Sequence, residues 1–217
     1  MQEPKKNIEG VLNNLHWLGQ ASFLISTQEG VNIYIDPYRI NPVSPKADLI
    51  LVTHAHFDHC SLKDIAGLSK ADTIIVCPPS ARQKFPADTR IIKAGEKINI
   101  KGIDIEAVRS YNKDKPFHPE SADNVGFIIN ISGVRVFHAG DTDLVPELKQ
   151  VKADIAMLPV GGTYTMDPKE AAEAASYINP QVAIPMHYGQ GLGSPMHGEE
   201  FRRLSKIKVM VFEPLKK

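Results

Sequence analysis

Leu49-Ile-Leu-Val52 is apolar at every position and runs without a gap into Thr53-His-Ala-His-Phe-Asp-His59. A strand with no polar face is buried on both sides, as in a parallel sheet covered above and below. The loop that leaves it carries four metal-ligand side chains, His54, His56, Asp58 and His59, within six positions. Ser61-Leu-Lys-Asp64 then has the spacing of a capping box and opens a short helix through Leu68. A loop pinned between a buried strand and a capped helix is tight enough to converge those side chains on one small site. Imidazole nitrogen and carboxylate oxygen suit Zn2+, Mn2+ or Fe2+.

Around this stretch the elements fall into two series. Leu15–Leu18, Ala21–Ser26 and Val31–Ile35 read as strands, broken at Gly19-Gln20 and Glu29-Gly30 and closed by Asp36-Pro37. After the helix come a strand at Thr73–Cys77, a brief helix launched by Pro78-Pro79-Ser80, and two hairpins. The first sets Ile98 and Ile100 against Ile103, Ile105 and Ala107; the second joins Val125–Ile131 to Val134–His138 through Ser132-Gly133. Strands and helices then alternate: strand Asp154–Leu158, a helix capped by Asp167 with Pro168 at N1 and Glu170 at N3, strand Val182–Pro185, a helix near Gly198–Ser205, and strand Ile207–Phe212. About twelve strands and four or five helices in this order predict two mixed sheets with helices outside, a four-layer αββα sandwich. The 217 residues suffice for a single domain spanning 1–217.

A metal site needs ligands from distant parts of the chain, and two further strand ends offer them. Gly140-Asp141 follows Val134–His138, where Gly140 lets the backbone turn so that Asp141 can face a cation. His187 follows Val182–Pro185. A carboxylate between two sets of imidazoles is what a bridging ligand of a two-metal centre requires. Other histidines are weaker candidates: His138 ends an apolar strand and reads as a satisfied core histidine, and His16 and His197 read as ordinary. Tyr164 and Tyr188 can orient a phosphate or carbonyl oxygen, or simply pack. Gly161-Gly162-Thr163 can cradle an anion or form a tight turn.

Asp36 after an early strand, the His-x-His-x-Asp-His loop at 54–59, Gly140-Asp141 and His187 stand in the order found in the metallo-β-lactamase superfamily, which the chain resembles over nearly its whole length. Trp17-Leu-Gly19, Asp36-Pro37, His138-Ala-Gly-Asp-Thr142 and Met186-His-Tyr-Gly189 are similar to its small cytosolic branch, which includes ascorbate-6-phosphate lactonase. The resemblance implies an αββα fold, one metal held by His54 and His56, and another held by Asp58, His59 and His187. It also implies that Asp141 bridges the two and that Asp36 braces the histidine loop. Two departures stand out. Where the superfamily supplies a further histidine after the strand Ile103–Val108, this chain reads Arg109-Ser-Tyr-Asn112. Either His118, bracketed by Pro116 and Pro119, folds back as the ligand or acid–base group, or Asn112 fills a weaker position, with His118 on a surface loop. The second departure is Gln20, where this branch often has histidine.

Composition narrows the function. Equal numbers of acidic and basic residues, 25 each, remove the charge footprint of a dedicated nucleic-acid binder. No apolar run approaches membrane-spanning length. The polar start Met1-Gln-Glu-Pro-Lys-Lys leads into no apolar run, so no secretory signal is expected. Two cysteines, Cys60 and Cys77, are too few for a disulfide framework and fit a cytoplasmic protein. The expected function is metal-assisted hydrolysis of an ester, lactone or phosphodiester of a small molecule. Two divalent ions, zinc first with Mn2+ or Fe2+ as alternatives, would make hydroxide available near neutral pH, with Asp58 orienting it and carrying its proton. A nuclease of the same superfamily and a metal-binding protein without catalysis are the competing readings, and self-association into a homo-oligomer stays open.

Overall fold

The computed structural model describes residues 6–87 and 89–215. The polar start discussed above falls mostly on residues 1–5 and lies outside them. A short helix α1 (Ile8–Asn13) leads into β1 (Leu15–Gly19), β2 (Ser22–Ser26), β3 (Asn32–Ile35) and β4 (Leu49–Leu51). Helix α2 (Leu62–Leu68), β5 (Ile74–Cys77) and β6 (Arg90–Ile91) complete the first half. The second half contains β7 (Lys97–Ile100), β8 (Ile103–Arg109), β9 (Val125–Ile131), β10 (Val134–His138), β11 (Ile155–Pro159), α3 (Pro168–Ile178), β12 (Val182–Met186) and α4 (His197–Leu204).

The strands form two six-stranded sheets, ordered β1-β2-β3-β4-β5-β6 and β12-β11-β10-β9-β8-β7. Each begins as an antiparallel meander and ends in parallel strands, from β3 in the first sheet and from β10 in the second. Both are mixed, and the αββα layering expected from the order of elements is the one observed. The β9–β10 turn has Ser132 and Gly133 both at positive φ, +49° and +84°, as a tight hairpin between twisted strands requires.

β4 shows why one strand lacks a polar face. Leu49 and Leu51 join the core between the two sheets, with Phe23, Phe127 and Val136. Ile50 points the other way, into a smaller core with Tyr34, Cys60, Ile65 and Leu68 beneath α2. Successive side chains of a strand take opposite faces, so a strand between two cores is apolar throughout. On the outside of the second sheet, α3 starts at the expected cap: Asp167 accepts the Glu170 N–H at 2.8 Å and Glu170 accepts the Asp167 N–H at 2.9 Å.

Three local readings differ from the structure. Ser61 caps α2, but Asp64 does not reach back to complete the box; its carboxylate accepts the N–H groups of Arg39 and Ile40 at 2.9 and 3.0 Å. The segment 207–212 makes only an isolated bridge, Ala183 with Val209, and not a strand. Ala183 donates its N–H to Lys208 and accepts from Met210. Two residues on, the same edge of β12 carries Pro185, which has no N–H, so the ladder stops. Helix α1, capped by Asn7, is too short and too interrupted by Gly10 for its periodicity to register.

Ile50→Ala removes a fully buried side chain from the core under α2. Denaturant unfolding should show a loss of about 2–5 kcal/mol, and the melting temperature should fall by roughly 5–15 °C. A loss below about 1 kcal/mol would mean that this second core does not hold the helix.

Candidate metal centre

The loop after β4 is held from behind by one carboxylate. Asp36 follows β3 with φ +48° and is completely buried. Its Oδ1 accepts the Thr53 N–H at 2.7 Å, and its Oδ2 accepts the Thr53 hydroxyl at 2.6 Å and the His59 Nδ1–H at 2.7 Å. With Nδ1 engaged, His59 presents Nε2 forward. A histidine ligand whose other nitrogen donates to a carboxylate is fixed in both tautomer and ring orientation.

In front of this brace, seven side chains from four strand ends meet. His54, His56 and His118 each place one donor atom within 4.8 Å of the others, as do His54, His59 and Asp141, and Asp58, His59 and His187. His54 Nε2 and His118 Nε2 each lie 3.0 Å from His56 Nδ1. Two imidazole nitrogens sharing a tetrahedral zinc ion at about 2.0–2.1 Å would stand about 3.3 Å apart, so the spacing suits a common cation. Asp141 sits between the sets: its Oδ2 is 3.0 Å from His187 Nε2, 3.4 Å from His59 Nε2 and 3.5 Å from His118 Nε2.

Every site residue read from the sequence is therefore at this one place, and of the two left open, His118 faces the donors while Asn112 stands behind it. The Asn112 Oδ1 accepts from His118 twice, from its backbone N–H at 3.0 Å and from Nδ1 at 2.9 Å. Asn112 Nδ2 donates to Asp143 and to the Tyr164 carbonyl, both at 3.0 Å. The amide thus does for His118 what Asp36 does for His59. His138, by contrast, uses both nitrogens inside the protein, on the Ala21 carbonyl and the Gly140 N–H, and has no lone pair left for a cation.

Two contributions were not legible as such. Gln20 donates its amide N–H to Asp58 Oδ2 at 2.6 Å, and Ser110 donates its hydroxyl to the Asp141 carbonyl at 2.9 Å. Gln20 stood out in the sequence as a departure from the family's histidine, with no partner to assign it; Ser110 gave no sign. Gly140, at φ +64°, makes the turn expected of it, and a Cβ there would lie 3.0 Å from the Val125 carbonyl. Gly161 has a packing reason: a Cβ would come within 2.5 Å of the His187 and Leu192 carbonyls.

The electrostatics fit a cation. Burial, with the nearby charge of His59, holds His54 well below the usual imidazole range, burial lowers His56, and burial pushes His118 down to about 4. These are neutral lone-pair donors at pH 7. His59 is the opposite case: burial opposes its charge, but the carboxylates of Asp141 and Asp36 outweigh it and hold the ring well above the ordinary range. Burial would raise Asp141, yet His187 and His59 keep it well below the usual carboxylate range. Both ring nitrogens of His187 and the Asp141 Oδ1 are buried without a hydrogen-bond partner; the 3.0 Å approach of His187 Nε2 to Asp141 Oδ2 is close but misaligned. Unpaired buried polar atoms cost about 1–3 kcal/mol each. Two of them, His187 Nε2 and Asp141 Oδ1, sit together at the centre, the pattern of ligands arranged for an ion, while His187 Nδ1 lies toward Gly161. Cys60 belongs to none of these donor sets among the described residues, and burial raises its thiol to about 11.

The chain is similar to known metal-dependent hydrolases. The profile of the beta-lactamase superfamily domain matches residues 14–187. A metal-dependent hydrolase of Caldivirga maquilingensis is 34% identical, covering 92% of this chain and 95% of its own. A structure from Parabacteroides distasonis, described as a metal-dependent hydrolase, superposes with a TM-score of 0.84 at 32% identity over 93% of each chain. A metallo hydrolase of Ignicoccus hospitalis gives 0.75 at 27% identity over 93% of this chain and 95% of its own.

Asp36→Asn replaces one acceptor oxygen by a donor facing Thr53 or His59. Chemical denaturation should show a loss of about 1–3 kcal/mol for the buried donor left unpaired. Stability equal to that of the parent would remove Asp36 as the brace of the loop.

Proposed function

This chain belongs to the metallo-β-lactamase superfamily and, within it, to a family of metal-dependent hydrolases, and we propose that it hydrolyses an ester, lactone or phosphodiester bond of a small molecule with two divalent cations. The observation that carries this reading is the division of seven side chains into two donor sets around one shared carboxylate. His54, His56 and His118 would hold one ion, Asp58, His59 and His187 the other, and Asp141 both. Imidazole-rich sets with carboxylates favour zinc, with Mn2+ and Fe2+ as alternatives.

A pair of divalent ions in such a site lowers the pKa of water toward neutrality and polarises the oxygen of the bond to be cut. The remaining work belongs to the chain. Asp58 is half-buried at the mouth of the centre and can take a proton from the attacking water and pass it to the leaving oxygen. His118, kept neutral by burial and oriented by Asn112, faces the same space. A cavity of about 220 Å3 lined by Leu18, Gln20, Tyr38, Arg39, Gln190 and Leu215 meets the centre only through Gln20, whose amide reaches Asp58. Phe57, 71% exposed and edge-on to Tyr38, forms an apolar lip beside the histidine loop. No helix among the described residues is long and apolar enough to cross a membrane. Cys60 and Cys77, both free and buried, support a cytoplasmic setting.

Elemental analysis after reconstitution with zinc should give close to two ions per chain. Chelation should abolish hydrolysis across a panel of lactones, esters and phosphodiesters, and zinc or manganese should restore it. Trace metal only, or hydrolysis that survives complete chelation, would sink the proposal. Among variants, Asp58→Ala should lower turnover by roughly 100- to 10,000-fold, the scale of a lost acid–base group, while the protein stays folded. In chelator competition, Asn112→Ala should weaken one ion by about 10- to 100-fold, as for other residues that orient ligands. His118→Ala, which deletes the donor itself, should weaken it further; unchanged affinity there would return His118 to a structural role.

A further inference from the structure

Gln20 lies in the turn between β1 and β2 with φ +53°, a left-handed conformation that costs a non-glycine residue about 1 kcal/mol or more. Its side chain is buried, and its amide cannot turn round. The Oε1 accepts the Ala21 N–H, and Nε2 donates to Asp58 Oδ2 at 2.6 Å. Half a turn of the amide would set donor against donor at Ala21 and acceptor against acceptor at Asp58. Nε2 thus faces the centre and lies 3.4 Å from His59 Nε2, a contact and not a lock, since the lone pair of that nitrogen is the one an ion would take. The backbone of the same residue reaches His187: the Gln20 carbonyl accepts the His187 N–H at 2.8 Å. It also accepts the Trp17 indole N–H at 2.9 Å, which holds the turn in place. His187 is itself left-handed, at φ +56°, so two strained residues are locked face to face.

We propose that Gln20 is the positioning residue for one half of the centre, setting Asp58 and His187 for one ion, beside a His59 already oriented by Asp36, while leaving the other ion's donors alone; this rests on the two-ion reading above. The asymmetry is in the contacts. One residue hydrogen-bonds to Asp58 and to the His187 backbone, yet among the described residues it hydrogen-bonds to none of His54, His56 and His118. Of those three, His54 and His118 are ordered instead by Thr53 and Asn112. The two ions thus answer to different supporting residues and can be tuned separately.

Gln20→Leu keeps the bulk of the side chain and removes its hydrogen bonds. In zinc titrations against a competing chelator, this variant should bind one ion about 10- to 100-fold more weakly than the parent and the other with parental affinity. Parental affinity for both ions, or an equal fall in both, would overturn the proposal. A second measurement needs no variant. In 15N–1H spectra of the wild-type protein, the Gln20 side-chain NH2 signals should shift with the zinc equivalent that moves the His187 ring signals. A shift that follows the His118 ring instead, or no shift at all, would also overturn it. A parent protein that binds no zinc would be a different failure, that of the two-ion reading itself.

Discussion

The centre depends on a buried carboxylate. Asp36 is taken out of water completely, and it stays there because three donors, two from Thr53 and one from His59, replace the water it has lost. An ionised group without such partners would be prohibitively expensive in a protein interior. The arrangement ties the end of β3 to the loop after β4 and aims His59 forward. Local propensity alone would not hold four ligand side chains in one short loop. Asn112 repeats the device on the second sheet, with an amide in place of the carboxylate and His118 in place of His59.

The two sheets explain why ligands far apart in the chain can meet. The donors leave from the C-terminal ends of β4, β8, β10 and β12, so they collect along one edge of the sandwich. In open α/β sheets, the carboxyl ends of parallel strands are where ligands bind. Between the sheets the core is apolar and closely packed, which fixes the strand ends relative to one another. Three residues at this edge, Gln20, Asp36 and His187, have positive φ. Strain at these positions is held in place by hydrogen bonds to neighbouring ligands, as expected where geometry serves binding rather than stability.

Much of this was written locally. The apolar run Leu49–Leu51, the Asp167 cap, the Ser132-Gly133 turn and the histidine loop each declare themselves within a few residues, because burial, capping and turn chemistry act over that range. What was hidden acts at a distance. Pro185 ends the ladder beyond β12 only because its missing N–H faces outward, and that side is set by pairing with β11. Asp64 abandons its own helix because the backbone of Arg39 and Ile40, some 25 residues earlier, offers two better donors. His118 and Asn112 stood as rivals in the sequence and prove to be partners, a relation that appears only once the loop folds back on itself.

Anomalous diffraction at the zinc edge, from crystals of the zinc-loaded protein, tests the central claim most directly. The account predicts two peaks on either side of Asp141, one among His54, His56 and His118 and the other among Asp58, His59 and His187. No peak at these residues, or a single ion bound elsewhere, would contradict it.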